Sequence, residues 1–152
     1  MIYLLDTNII VFMLRGLKSY LNPNERQRDR KAVARRILYR ARNEKLSHNQ
    51  VALSAITVAE LEFGAWNSAD YEKERDATRR AITPFDLLPF DPDECALHYG
   101  EVRYGLESVG KGIGSLDTLI AAHALALGAT LVTNDATEFS RVGGLHCEDW
   151  AN

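Results

Sequence analysis

Apolar residues follow two regimes along this chain: short unbroken runs, and longer stretches where they recur every three or four positions. Ile2-Tyr3-Leu4-Leu5 is a run that meets the polar Asp6-Thr7-Asn8 at once, the way a buried strand stops at the rim of a sheet. Val51 to Ser54, Phe85 to Phe90 and Leu131-Val132 repeat the form. The last of these ends at Thr133-Asn134-Asp135, and a weak fifth run lies near His146. Helical stretches fill the intervals. One runs from Ile9 to about Gly16, and a second restarts at Asn22-Pro23 with Val33, Ile37 and Ala41 on one face. Others cover Thr57 to Trp66, about Asp70 to Arg80, and Asp91-Pro92 to about Val109. The final one has Ser115 as its expected N-cap and Leu116, Leu119, Ile120, His123 and Leu127 as its apolar face, and it closes at Gly128. Strands alternating with helices predict an α/β fold, with a central, mostly parallel sheet of four to five strands and helices on both faces. No repeat or linker interrupts the pattern, so residues 1–152 read as one domain.

Composition narrows the class. A chain of 152 residues buries enough surface to fold without a disulfide framework or a structural metal. Cys95 and Cys147 form no CxxC pair and read as reduced thiols. Leu119 to Val132, the longest apolar stretch, is broken by His123 and falls short of the roughly 20 residues of a membrane span. The N-terminus has no basic leader. A soluble, cytoplasmic protein with no membrane association is expected. The net charge of −3 argues against a constitutive nucleic-acid coat protein. Yet nine of the 18 lysines and arginines lie between Arg26 and Lys45, beside only Asp29 and Glu44.

Four acidic residues stand out by position. Asp6 and Asp135 directly follow apolar runs, which places them at the carboxyl edge of a parallel sheet, where sites in such folds lie. Glu60 and Asp117 each fall in the expected first turn of a helix beside that edge. Right-handed connections would turn all four toward one crevice. An all-oxygen cluster suits Mg²⁺ or Mn²⁺, and such ions support phosphodiester hydrolysis. Each residue also has a plainer reading. Thr57-Val58-Ala59-Glu60 matches a capping box, Asp117 suits a helix N-terminus, and Asp6 and Asp135 suit turns. Other motifs fail. Gly105 to Gly110-Lys111 begins a phosphate-binding loop, but Gly112 replaces the required Ser or Thr. The four histidines have no metal or triad spacing. The basic helix is either a solvated face or a contact for RNA or an acidic partner, with Arg35, Arg36, Arg40 and Arg42 as its candidates. Phe63, Trp66 and Trp150 read as core or interface residues rather than base-stacking platforms.

Leu4-Leu5-Asp6-Thr7-Asn8, Ser54-Ala55-Ile56-Thr57-Val58-Ala59-Glu60-Leu61, Asp117-Thr118-Leu119-Ile120-Ala121-Ala122-His123-Ala124 and Leu131-Val132-Thr133-Asn134-Asp135-Ala136-Thr137-Glu138-Phe139 together resemble the PIN domain, in particular the VapC-type toxins of prokaryotic toxin–antitoxin modules. The resemblance covers nearly the whole chain in order. It implies a metal-dependent endoribonuclease that hydrolyses RNA phosphodiesters, tRNA or rRNA among them, with a metal-activated water, leaving 5′-phosphate and 3′-hydroxyl ends. It further implies a Mg²⁺ or Mn²⁺ cofactor, a VapB-type antitoxin and a homodimer. Asp6, Glu60, Asp117 and Asp135 take the catalytic and metal-holding positions. Thr7, Asn8 and Thr133 fall beside them, where hydrogen bonds to the carboxylates are expected. The segment from Leu17 to Gln50 departs from the resemblance in being longer and more basic. A catalytically silent RNA- or partner-binding relative is the competing reading.

Overall fold

A computed structural model describes residues 1–152. The first strand, β1 (Ile2–Leu5), leads into α1 (Thr7–Gly16) and the long α2 (Glu25–Leu46). Next come β2 (Gln50–Ser54), α3 (Ala55–Trp66), α4 (Tyr71–Ile82) and β3 (Asp86–Leu88). The last part comprises α5 (Glu94–Ser108), α6 (Ser115–Leu127), β4 (Thr130–Val132), α7 (Ala136–Phe139) and β5 (His146–Glu148). All five strands are parallel and lie in the order β3-β2-β1-β4-β5. No helix is long and apolar enough to cross a membrane.

The unbroken apolar runs follow from burial on both faces. Tyr3 and Leu5 point into one core with Val51, Leu53 and Val132. Leu4 points into the other with Ala52 and Leu131. Ile9, Ile10 and Met13 of α1 and Ile37 and Ala41 of α2 cover the first face, as the spacing of Ile37 and Ala41 predicts. Leu106 of α5, Ile120, Ala121 and Ala124 of α6 and Phe139 of α7 cover the second.

Three local readings change. Ser54, rather than Thr57, caps α3, its Oγ accepting from the Ile56 N–H at 3.0 Å. The helix therefore starts earlier, and Glu60 is not part of a capping box. Gly114 is the N-cap of α6, with Ser115 as its first residue. The buried side of that helix is also rotated: Leu116 is exposed, while every residue from Ile120 to Ala124 is buried, because α6 is packed by both the sheet and α5. The short α7 has no apolar period to announce it; Asp135 caps it, accepting from the Glu138 N–H at 3.3 Å.

Strand order decides where a site can form. The chain steps outward from β1 through β2 to β3, then returns to the other side of β1 with β4 and β5. Beside β1 and β4 the connections leave in opposite directions, which opens a crevice at the carboxyl ends of these strands. The Asp6 N–H donates to the Val132 carbonyl at 2.9 Å across that switch point.

The α1–α2 contact also shapes the molecule. A β-carbon on Gly16 would lie 2.3 Å from the Arg30 carbonyl oxygen and 2.5 Å from the Ala34 β-carbon. Only glycine permits this approach, and backbone cannot move aside as a side chain can. Gly16→Ala is expected to cost about 1–3 kcal/mol and to lower Tm by roughly 2–12 °C in thermal unfolding. An unchanged Tm would show that α2 can shift freely on α1.

Candidate active site

At the switch point, Asp6 is buried to 1% exposure. Both of its oxygens are held: Oδ1 accepts from the Thr7 N–H at 2.7 Å, which caps α1, and Oδ2 accepts from the Thr133 hydroxyl at 2.9 Å. The Asp135 N–H in turn donates to Thr133 Oγ1 at 3.0 Å, which fixes the turn after β4 relative to β1. Across the crevice the Thr7 hydroxyl donates to Glu60 Oε1 at 2.7 Å and lies 3.1 Å from Thr57 Oγ1. A hydroxyl has one proton to give, so Thr57 is the donor in its contact with Thr7. Thr7 thus touches two of the four acids, Asp6 through its backbone and Glu60 through its side chain.

Asp117 stands half-buried in the first turn of α6. Burial pushes its carboxyl up to about 6, and the charges of Asp6, Glu138, Glu60 and Asp135 push the same way. Asp6 is also pushed up to about 6, chiefly by burial. Its bonds from Thr133 and Thr7 oppose the rise, while Glu60 and Asp135 add to it. The charges that act most strongly on these two carboxyls are all negative. The fold has therefore gathered all four expected acids into mutual repulsion with no cation among them.

The plainer readings fare unevenly. Glu60 has lost its capping role. Asp135 does cap a helix, and contributes its charge to the cluster as well. Thr7 and Thr133 make the expected bonds to carboxylates, whereas Asn8 is exposed and none of the hydrogen bonds at the crevice involves it. Two further residues belong here. Glu138 raises Asp117, and the fully buried Thr57 supports Thr7. Glu138 lies within a family-like block but is three residues past the strand's rim, so only the turn of α7 reveals it.

Oxygen donors without nitrogen, sulfur or a neutralising cation match a hard divalent ion. No three of the His, Cys, Asp and Glu side chains are gathered closely enough to cage one. Mg²⁺ needs no cage, since it binds through one or two carboxylates and keeps several waters. The residues therefore fit the ion by charge and donor type.

The candidate arginines are not equivalent. Arg36 donates to the Ala151 carbonyl, and Arg40 pairs with Glu44 at 2.8 Å and Glu148 at 3.4 Å beneath the Trp150 ring. These two bind the chain's own C-terminal segment. Arg35 and Arg42 are exposed and form no ion pair. His123 is buried against Ser54, with Nδ1 2.8 Å from Oγ, and burial lowers its pKa; it ties α6 to the end of β2. Cys95 and Cys147 are free thiols.

Comparison with known proteins identifies the family. A family model described as PIN domain matches residues 3–145. The chain is 34% identical to a Rickettsia felis protein named ribonuclease VapC2, over 99% of this chain and 98% of that one. It is 32% identical to the tRNA(fMet)-specific endonuclease VapC of Shigella flexneri, over 98% of each. Among solved structures, VapBC-1 from nontypeable Haemophilus influenzae superposes with a TM-score of 0.81 at 32% identity over all of both chains. The VapBC2 complex of Rickettsia felis bound to a promoter DNA fragment gives 0.78 at 33% identity, over 99% of each.

The raised carboxyls set a pH dependence. A folded-state pKa of about 6 against an ordinary 3.8 means the folded form holds more protons between these values. Stability is therefore lost as pH rises from about 4 through 6. Asp117→Asn removes one repelling charge and is expected to raise the metal-free Tm at pH 7 by a few degrees, on the order of 1 kcal/mol. That gain should shrink as pH falls to 5. A variant less stable than wild type at pH 7 would contradict the repulsion.

Proposed function

Since the chain belongs to the PIN-domain family of VapC ribonucleases, we propose that it is a metal-dependent endoribonuclease and the toxin of a VapBC-type pair. The observation that carries this reading is the convergence of Asp6, Glu60, Asp117 and Asp135, with Glu138, at the switch point, with Asp6 and Asp117 forced up to about 6 by burial and by the charges of the other acids. A module that only binds RNA or a partner gains nothing from this repulsion. A nuclease that recruits Mg²⁺ or Mn²⁺ does.

Asp6 and Asp117 would hold the ion, with Glu60 and Asp135 completing the acidic set. When bound, the ion would polarise the phosphate and lower the pKa of water. The chain's own residues supply position. Thr133 and the Thr7 N–H hold both oxygens of Asp6 in place, and the Thr7 hydroxyl holds Glu60. In the hydrolysis, a water oxygen bonds to phosphorus, the bond to the 3′ oxygen breaks, and that oxygen takes up a proton. The products are a 5′-phosphate and a 3′-hydroxyl, and no 2′-hydroxyl or side-chain nucleophile takes part.

The partners are an RNA and a VapB-type antitoxin. The solved VapBC complexes support the antitoxin, and the ribonuclease relatives support the RNA. For the homodimer, α3 leaves Phe63 and Trp66 and α5 leaves Leu97 and Tyr104 exposed, apolar side chains that a second copy can cover. Trp150, in contrast, is buried against Tyr3.

Purified protein incubated with total RNA and Mg²⁺ or Mn²⁺ is expected to give discrete fragments with 5′-phosphates. EDTA should abolish them, and so should Asp6→Asn or Asp117→Asn in folded protein. Turnover retained by either variant would break the assignment of the site. Thr7→Val keeps the backbone bond to Asp6 but frees Glu60, and should lower kcat about 10–100-fold. Thr7→Ser should recover most of it, and equal loss in both variants would deny the hydroxyl its role.

A further inference from the structure

The cations of α2 are sorted by the fold. Arg36 and Arg40 are bound to the C-terminal segment, and Arg35 and Arg42 project without partners. Arg26 and Arg30, near the start of the helix, line a cavity of about 270 Å³ between α1, α2 and the loop after β4. Phe12 and Val33 give it an apolar side, and Asn134 borders it on the side of the carboxylates, being the residue before Asp135. Neither guanidinium takes part in an ion pair. Asp29 is the one acidic side chain in the lining, against the two guanidiniums, and Ala151 and Asn152 of the C-terminal segment complete it.

Its place relative to the acids follows from helix geometry. Phe12 lies six residues along α1 from Asp6, about 9 Å at 1.5 Å per residue. Asn134 links the two regions, since it lines the cavity with Arg26 and Arg30 and directly precedes Asp135 in the chain. A polyanion whose reacting phosphate sits at the carboxylates meets complementary charge with its neighbouring phosphate. The volume lies just under the usual range for small-molecule pockets, which suits a sugar-phosphate unit rather than a stack of bases. The close α1–α2 packing at Gly16, which brings the Arg30 backbone against α1, holds this wall in place.

We propose that this cavity is a subsite for the RNA phosphate next to the one being cleaved, with Arg26 and Arg30 donating to its oxygens and Asn134 to the attached ribose or base. The assignment rests on the ribonuclease reading above. It moves the phosphate-binding role from Arg35 and Arg42 to the pair that lines this cavity.

The test compares wild type with Arg26→Gln/Arg30→Gln and with Arg35→Gln/Arg42→Gln, all changes at positions with solvent access. Binding of a fluorescein-labelled single-stranded RNA is followed by anisotropy against KCl in EDTA, and cleavage is followed separately with Mg²⁺ or Mn²⁺. The Arg26/Arg30 variant is expected to bind about tenfold more weakly, with a log–log salt slope shallower by about 0.7, the value for one phosphate on a single strand. Its KM should rise by a similar factor with kcat within about twofold, and the Arg35/Arg42 variant should stay close to wild type. If wild type binds and cleaves while the Arg26/Arg30 variant keeps both slope and KM, the subsite is overturned. The same holds if that variant cleaves normally but escapes inhibition by the antitoxin, which would make the cavity a protein-docking site. A wild type that neither binds nor cleaves RNA overturns the ribonuclease reading instead.

Discussion

Burying the carboxylate of Asp6 is the constraint around which this molecule is arranged. A charge with 1% exposure loses most of its hydration, and the loss is tolerable only where donors replace water. Here they come from the start of α1 and the end of β4, through the Thr7 N–H and the Thr133 hydroxyl. The two bonds do more than solvate one side chain. They tie the adjacent central strands together at their carboxyl ends, and through Thr133 they reach the backbone of Asp135. The Thr7 side chain extends the same network to α3 through Glu60. Three segments distant in sequence are thus aligned by one buried group.

Those bonds favour the ionised form, yet Asp6 is still pushed up to about 6 because desolvation outweighs them. Asp117 has fewer supports and more acidic neighbours. The result is a rigid cluster of acids held at a cost in stability, the usual compromise at sites where pKa values are strongly shifted. The rest of the fold offsets that cost with two cores, one on each face of the sheet.

The long basic helix shows how composition and role can separate. Half of the chain's cations fall in it, but one part of the helix grips the C-terminal segment through Arg36, Arg40 and Trp150, another faces solvent, and Arg26 and Arg30 line a cavity together with Asn134. Charge density along a sequence does not distinguish these fates. The helix has a 100° turn per residue, so neighbours in sequence face different surroundings.

Local pattern alone determined the parallel α/β class, since unbroken apolar runs demand burial on both faces and polar residues at their ends mark the rim. Asp6 and Asp135 were legible for that reason, Glu60 and Asp117 from their places in the expected first turns of helices beside that rim, and the ordered family-like blocks added their common role. The tertiary structure decided the rest. Whether Glu60 caps its helix or faces the crevice depended on Ser54 taking the cap. That Thr57 and Glu138 belong to the site, that Asn8 stands apart, and that Arg26 and Arg30 line a cavity while Arg36 and Arg40 bind the C-terminal segment, are consequences of how α1, α2, α3 and α7 pack around the switch point. Sequence spacing specifies which residues share an element and a face. Distances between elements arise only when the strand order and the closest permitted packing, such as that at Gly16, bring them together.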